Sequence, residues 1–330
     1  MCTADRGLYV GWGYPLSWGQ ALADDLGARA FFARSFDGRE RERPAAVRYL
    51  EYLSRTKQEM EACNPNFVIW QIPPSVGPLA FYAAWPRYSR VPWLLDVHSG
   101  TVNVRRWRWL LPLLRNGSKK AALAIVHNKE VAAALGEWPC PIVVLDTYVV
   151  PPGEDPGTRA HTEDGPIVVT ASGMADEPLD AVVFAASQLV PTRRFVITGR
   201  REAVVKRLSG LDIPPSVELS GYLSRADYLR LLATASLAVC LTTRPATMQL
   251  GAWEAASLEC PVIVSDHSVL RSYFGDAASY TGHSGSQLAS VVQGVLNNYR
   301  TYLTRTQAFA AHMQLRRAEQ IHGITEALRP

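Results

Sequence analysis

Short apolar runs recur along the chain, separated by polar segments with helical spacing. In the first half they are LYVGW (8–12), ARAFFA (28–33), FVIWQI (67–72), WLLDVH (93–98), LAIVHN (123–128) and PIVVLD (141–146). Runs that are apolar on both faces, with helical stretches such as 17–27 and 44–63 between them, predict a parallel sheet covered on both sides. A Pro-, Gly- and charge-rich stretch without periodicity, VVPPGEDPGTRAHTEDGP (149–166), then reads as a linker. The alternation restarts with strands predicted at 167–172, 194–199, 217–221, 237–242, 261–266 and 278–282. Helices are predicted near 178–190, 200–209, 224–235, 248–259, 268–274 and 285–298, and the tail over 300–328 reads as one or two more. The expected fold class is therefore α/β, with two Rossmann-like, doubly wound domains in tandem. Their expected bounds are 1–150 and 167–305, joined by a linker at 151–166, with a C-terminal helix over 306–330 free to cross back to the first domain. Ligands of such sheets sit beyond the carboxyl ends of the strands, and two facing sheets predict one cleft between domains.

Composition narrows the function. The chain has 330 residues, 48% of them hydrophobic, enough for two cores. With 34 basic against 30 acidic residues the formal charge is +4, too mild to argue for nucleic acid. Five cysteines at positions 2, 63, 140, 240 and 260 form no metal-ligand spacing and read as reduced packing residues of a cytoplasmic protein. The opening MCTADRGLYVGWG lacks the apolar stretch of a signal peptide, and no window is long enough for a transmembrane helix.

Chemistry concentrates at the strand ends. After the first strand, Gly11 and Gly13 allow close approach of a ligand and Ser17 can cap the next helix. The full dinucleotide fingerprint is missing, because position 16 is Leu, which argues against a nicotinamide dehydrogenase. WLLDVH delivers Asp96 and His98 to a carboxyl end, His98 as a partner for a sugar hydroxyl or phosphate and Asp96 as a brace for the loop. NVRRWRWLLPLLRNGSKK (103–120) is basic and aromatic; it fits either a face lying on anionic lipid or a solvated helix with its tryptophans packed inward. In TASGMADEPLD (170–180), Gly173 lies in a flexible loop and Asp176 and Glu177 open a helix, where the dipole favours them in any case. Gly199 ends a strand, with Arg200 and Arg201 following as phosphate partners. In LTTRPATMQLGAWEAASLECPVIVSD (241–266), a helix is expected to begin near Thr247 as its cap. The amides of Thr247, Met248, Gln249 and Leu250 would form an anion site beside Arg244, Gly251 would allow close approach, and Glu254 could bind the hydroxyls of a ribose.

The segment WEAASLECPVIVSD resembles the glutamate-containing donor segment of GT-B glycosyltransferases, specifically the retaining family 4 group in a bacterial subgroup. VELSGYLSRADYLRLLATASLAVCLT (217–242) and LDVHSG (95–100) are similar to further stretches of that family in the same order. The resemblance implies transfer of a sugar from a nucleotide-diphosphate donor, UDP- or GDP-linked, to a hydroxyl acceptor with retention of configuration. It implies no required metal, in keeping with the lack of an Asp-x-Asp motif, and no further cofactor. Glu254 would match the ribose-binding glutamate, residues 247–250 the phosphate amides, and His98 the group reaching the donor sugar or its leaving phosphate. Two positions depart from the family. Ala246 stands where a second glutamate usually holds sugar hydroxyls, and SGMADEPLD lacks the usual Arg and Lys, a charge that Arg200, Arg201 or Arg244 can replace. Asp176 or Glu177 can likewise take over sugar contacts. The competing readings are a GT-B nucleotide-sugar epimerase and a non-catalytic sugar-nucleotide-binding scaffold. A lipid-linked acceptor, with peripheral contact at the inner face of the membrane through 103–120, completes the expectations.

Overall fold

A computed structural model describes residues 7–13, 17–34, 44–189, 193–245 and 247–328. The chain divides into two compact units, Met1–Asp146 with Arg317–Pro330, and Thr147–Arg316. Position 246 lies outside the described residues, and so does the whole segment before the first strand.

The first unit runs β1 (Gly7–Gly11), α1 (Ser17–Asp25), β2 (Ala28–Phe32), α2 (Ala45–Cys63), β3 (Phe67–Ile72), α3 (Val76–Ala84) and β4 (Trp93–Val97). It continues through α4 (Gly100–Asn103), α5 (Arg105–Arg108), α6 (Leu111–Gly117), β5 (Leu123–Val126), α7 (Lys129–Leu135) and β6 (Ile142–Val144). Its six parallel strands lie in the order β2-β1-β3-β4-β5-β6, so the winding reverses between β1 and β3. Helix α3 has no counterpart in the expectations, since Gly77 and Pro78 break the helical pattern. Pro78 is tolerated because it sits in the first turn, where its missing N–H leaves no bond unmade. The core is aromatic: Trp12, Tyr52, Trp70 and Phe81 are buried together. The polar edges of both indoles are satisfied inside it, Trp12 Nε1 donating to Thr56 Oγ1 at 3.0 Å and Trp70 Nε1 to the Tyr82 hydroxyl at 3.1 Å.

The second unit runs β7 (Ile167–Val169), α8 (Leu179–Gln188), β8 (Phe195–Thr198), α9 (Arg201–Arg207), β9 (Val217–Gly221), α10 (Arg225–Thr234) and β10 (Leu237–Cys240). Then come α11 (Leu250–Ser257), β11 (Val262–Ser265), α12 (Ser268–Phe274), β12 (Ala278–Thr281), α13 (Gly285–Asn297) and one long helix, α14 (Tyr299–Ala327). The sheet order β12-β11-β10-β7-β8-β9 is that of a dinucleotide-binding domain, with its reversal between β7 and β10. Ser224 and Ser284 open α10 and α13 by accepting the N–H of Asp227 and Gln287. Both units are doubly wound α/β folds, as the alternation of apolar runs predicts. Among the described residues no helix is long and apolar enough to cross a membrane.

Candidate functional site

In the second unit the chemistry gathers where the winding reverses, at the carboxyl ends of β7 and β10. The two loops leaving these strands are tied across the reversal point. Thr242 Oγ1 donates to Asp176 Oδ2 at 2.7 Å and the Thr243 amide donates to the Asp176 carbonyl at 2.7 Å. Arg244, more than half exposed, pairs with Asp176 Oδ1 at 3.2 Å. Asp176 therefore braces the two loops with groups that were expected to meet a ligand.

Glu177 does not open α8; that helix begins two residues later, after Pro178. The carboxylate folds back onto its own loop instead. It accepts the amides of Ser172 (2.9 and 3.1 Å), Gly173 (2.8 Å) and Met174 (3.0 Å), and the Ser172 hydroxyl at 2.7 Å. Successive backbone N–H groups converge on it as they do on bound anions. Gly173 makes the turn possible: its φ is +83°, and a Cβ there would lie 2.5 Å from that of Ala203. Gly199 is held to glycine in the same way, at φ +104° with the Ala171 carbonyl 2.5 Å from where a Cβ would be. Arg200 is exposed at the start of α9, while Arg201 donates to the Leu219 carbonyl at 3.0 Å.

Helix α11 begins at Leu250, three residues later than Thr247, and its cap position is Gln249 in extended conformation without a side-chain cap. Thr247 is thus no helix cap; its hydroxyl lies 3.5 Å from the Pro245 carbonyl. Docking on β7 sets where the first turn sits. Gly251 lies against Thr170, where a Cβ would come within 2.6 Å of Oγ1. Residues 247–249 are non-helical ahead of this turn, and the helix-end N–H groups begin with Leu250 and Gly251. Gln249 Oε1 is a buried acceptor with no partner among the described residues.

Glu254 is buried and its charge is answered from a distance in sequence. Arg225 Nη1 donates to Oε1, and the Tyr228 hydroxyl also bonds the carboxylate. The same guanidinium reaches Glu154 Oε2 at 2.8 Å through Nε and the Tyr148 hydroxyl at 2.8 Å through Nη2. Burial raises the pKa of Glu254, and Arg225 and Tyr228 oppose that without cancelling it. Its neighbour Trp253 turns to a different face and packs on Phe274 (4.6 Å) and Phe309 (6.1 Å).

In the first unit a second cluster forms at the ends of β4 and β5. Asp96 is fully buried and takes three partners: the Tyr9 hydroxyl at 2.7 Å, His98 Nε2 at 3.1 Å and His127 Nε2 at 2.6 Å. Burial would raise the pKa of Asp96, but the two histidines outweigh it and hold the carboxyl well below the usual range. An ionised carboxylate only accepts, so both rings carry their proton on Nε2 and a neutral ring presents Nδ1 as an acceptor. Burial and the nearby His98 lower the pKa of His127 to about 4, against the pull of Asp96. Trp18 packs on His127 at 4.2 Å, and Arg317 lies over Trp18 while bonding Asp25 at 2.6 Å. Asp96, His98 and His127 stand close enough together for their ligand atoms to hold a cation. His127 was not among the sequence candidates, although it occupies the same strand-end position in LAIVHN that His98 occupies in WLLDVH.

The remaining candidates have mainly local roles. Gly11 is fixed by packing, since a Cβ would meet Gln71 at 2.4 Å, whereas Gly13 has room, its nearest neighbour being Gln71 at 3.7 Å. Ser17 is the first residue of α1 rather than its cap. Among the described cysteines all four are free thiols.

Residues 165–298 match the family described as Glycosyl transferases group 1. No curated protein matches the chain in sequence. Among solved structures, sucrose-phosphate synthase from Thermosynechococcus elongatus superposes with a TM-score of 0.69 at 13% identity, covering 98% of this chain and 99% of that one. Anabaena HepE in complex with UDP-glucose gives a TM-score of 0.68 at 12% identity, with 98% and 97% covered. A Listeria monocytogenes protein assigned as a UDP-N-acetylglucosamine 2-epimerase gives 0.58 at 15% identity, with 99% of each chain covered. Over its whole length the chain has the GT-B fold of these structures, and within its second unit residues 165–298 match the glycosyl transferases group 1 family.

Proposed function

We propose that the protein transfers a sugar from a UDP- or GDP-linked donor to a hydroxyl acceptor, with retention of configuration and without a metal ion. One coincidence carries the reading: the group 1 match spans the unit whose loops join across the β7/β10 reversal, where α/β sheets bind nucleotides. In this reading the backbone N–H groups from Thr247 to Gly251 meet the diphosphate, with Arg244 and Arg200 as its cations. Glu254 reaches the ribose, and His98 Nδ1 accepts a hydrogen bond from a sugar hydroxyl. With Nε2 of His98 committed to Asp96, an accepting Nδ1 suits a hydroxyl better than a phosphate, which offers no proton.

In the reaction the bond from the anomeric carbon to the phosphate oxygen breaks while the acceptor oxygen bonds the same face. The acceptor's proton passes to the departing phosphate oxygen. Charge collecting on that phosphate is stabilised by the amides and arginines.

The test begins with thermal shift against UDP-, GDP- and dTDP-sugars, then follows nucleotide release and the product anomer by NMR. Stabilisation by one donor, nucleotide release and a retained anomer are expected. An inverted anomer refutes retention, and interconversion of donor epimers points to an epimerase. Binding without turnover makes the protein a scaffold, and failure of every nucleotide sugar to bind refutes the donor site.

A further inference from the structure

Between Val97 and Lys129 the chain has no acidic residue, while Arg105, Arg106, Arg108, Arg115, Lys119 and Lys120 fall within it. All six are exposed. Exposed alongside them are Trp109 (74%), Leu113 (55%) and Val104 (41%). The tryptophans divide: Trp107 is half-buried with Arg106 stacked over it at 4.7 Å, whereas Trp109 stands out into solvent. Leu114, the next residue after Leu113, is fully buried and anchors α6 to the unit. Trp109 follows directly on α5 and Leu113 lies in the first turn of α6, so both belong to the short stretch that carries Arg105, Arg106, Arg108 and Arg115. Behind α6 a cavity of about 520 Å³ is lined by Arg115, Lys119, Glu137 and Trp138 among others.

We propose that this face docks the protein on a bilayer rich in anionic phospholipid, with Trp109 and Leu113 entering the headgroup boundary and the six cations meeting lipid phosphates. An exposed Trp and Leu framed by cations is the chemistry of an interfacial segment, because indole favours the headgroup level and each cation gains from the surface potential. A second copy of the chain fits poorly, since a two-fold contact would set these cations against their own duplicates. A nucleic acid would use the cations but gain nothing from Leu113 and Val104. The proposal stands on this face alone and does not depend on the donor reading.

The test is flotation of the full chain with vesicles of phosphatidylcholine alone and of phosphatidylcholine mixed with phosphatidylglycerol. Binding to the mixed vesicles only, weakened by salt, is expected. Neutralising Arg105, Arg106 and Arg108 to Gln should reduce binding roughly a hundredfold, at about fivefold per cation. The double change Trp109→Ala with Leu113→Ala should lose about tenfold or more. These side chains are exposed, so unchanged circular dichroism and melting of the variants separate lost docking from lost folding. No flotation with the mixed vesicles overturns the proposal, as does equal binding to both kinds or equal binding by the folded variants.

Discussion

Asp96→Asn is the sharpest perturbation of the first unit, because it keeps the shape of the side chain and exchanges one carboxylate oxygen, with the charge, for an NH2 group. In the native cluster three donors converge on two carboxylate oxygens, at 2.6 to 3.1 Å, with no water-facing alternative for Asp96. A hydrogen bond to a charged partner is worth about 1.5–3 kcal/mol, and an orphaned buried donor costs about 1–3 kcal/mol. Asparagine keeps one acceptor and turns the other into an amide whose two hydrogens face donors. The three bonds share one charge and do not add, so the expected loss is about 3–5 kcal/mol, less than the sum of the separate bonds and orphaned donors. Urea unfolding followed by intrinsic fluorescence measures it, since every tryptophan except Trp253 lies in the first unit. Tyr9→Phe is the control: it removes one donor, orphans none, and should cost about 1–2 kcal/mol. Nitrogen NMR of the imidazoles reads the second consequence directly, because the native Nε2-protonated form loses its reason to exist in the variant. An Asp96→Asn loss below about 1 kcal/mol, with both tautomers unchanged, would falsify the shared-carboxylate account.

Glu254→Gln separates two roles. If Glu254 meets the ribose, donor affinity falls while unfolding shifts by about 1–3 kcal/mol, the penalty for a weakened buried partner of Arg225. Unchanged affinity with the same destabilisation would mean the carboxylate serves Arg225 and Tyr228 alone. Gly251→Ala brings a Cβ within 2.6 Å of Thr170 Oγ1. It should cost about 1–3 kcal/mol by overpacking, and Thr170→Ser in the same chain should not relieve it, because Oγ1 remains. His127 predicts acid sensitivity. Its ordinary value of 6.5 is lowered to about 4 in the fold, so between these limits the unfolded chain holds more protons and stability falls as pH drops. Melting temperature should decline from pH 7 to pH 5, and His127→Asn should flatten that decline; an unaltered slope in the variant refutes the assignment.

The fold was legible in the sequence for a physical reason. A strand buried on both faces cannot hide its composition, and all twelve apolar runs became strands. Most strands are shorter than their runs at the carboxyl end, where His98, Asn128 and Asp146 leave the ladder to bond elsewhere. Helix α3 was hidden because Gly77 and Pro78 look like a break unless the position of the proline in the turn is known. The start of α11 was misplaced because a cap residue was available at Thr247, whereas packing of Gly251 on Thr170 decided where the turn begins.

The site was legible only where position along one strand carried the signal. His98 and Asp96 stand at a strand end two residues apart, and periodicity alone delivers them to the carboxyl edge. The partners that define their chemistry, Tyr9 and His127, come from other strands, and no spacing within a segment announces them. The same holds for Glu254: one carboxylate on an alanine-rich helix reads as misplaced until Arg225 and Tyr228 arrive from α10. Glu177 shows the reverse error. Its place before a helix suggested a dipole partner or a sugar ligand, yet the left-handed turn at Gly173 lets it satisfy the amides of its own loop. In the proposed donor site, a loop already neutralised from within would leave the positive charge for a diphosphate to Arg200 and Arg244, and Arg244 is itself paired to Asp176. Donor binding would then compete with that pair, and Asp176→Asn should tighten nucleotide affinity if Arg244 is the phosphate partner. Weaker binding would show instead that Asp176, by tying the two loops together, contributes more to the site than the arginine it restrains.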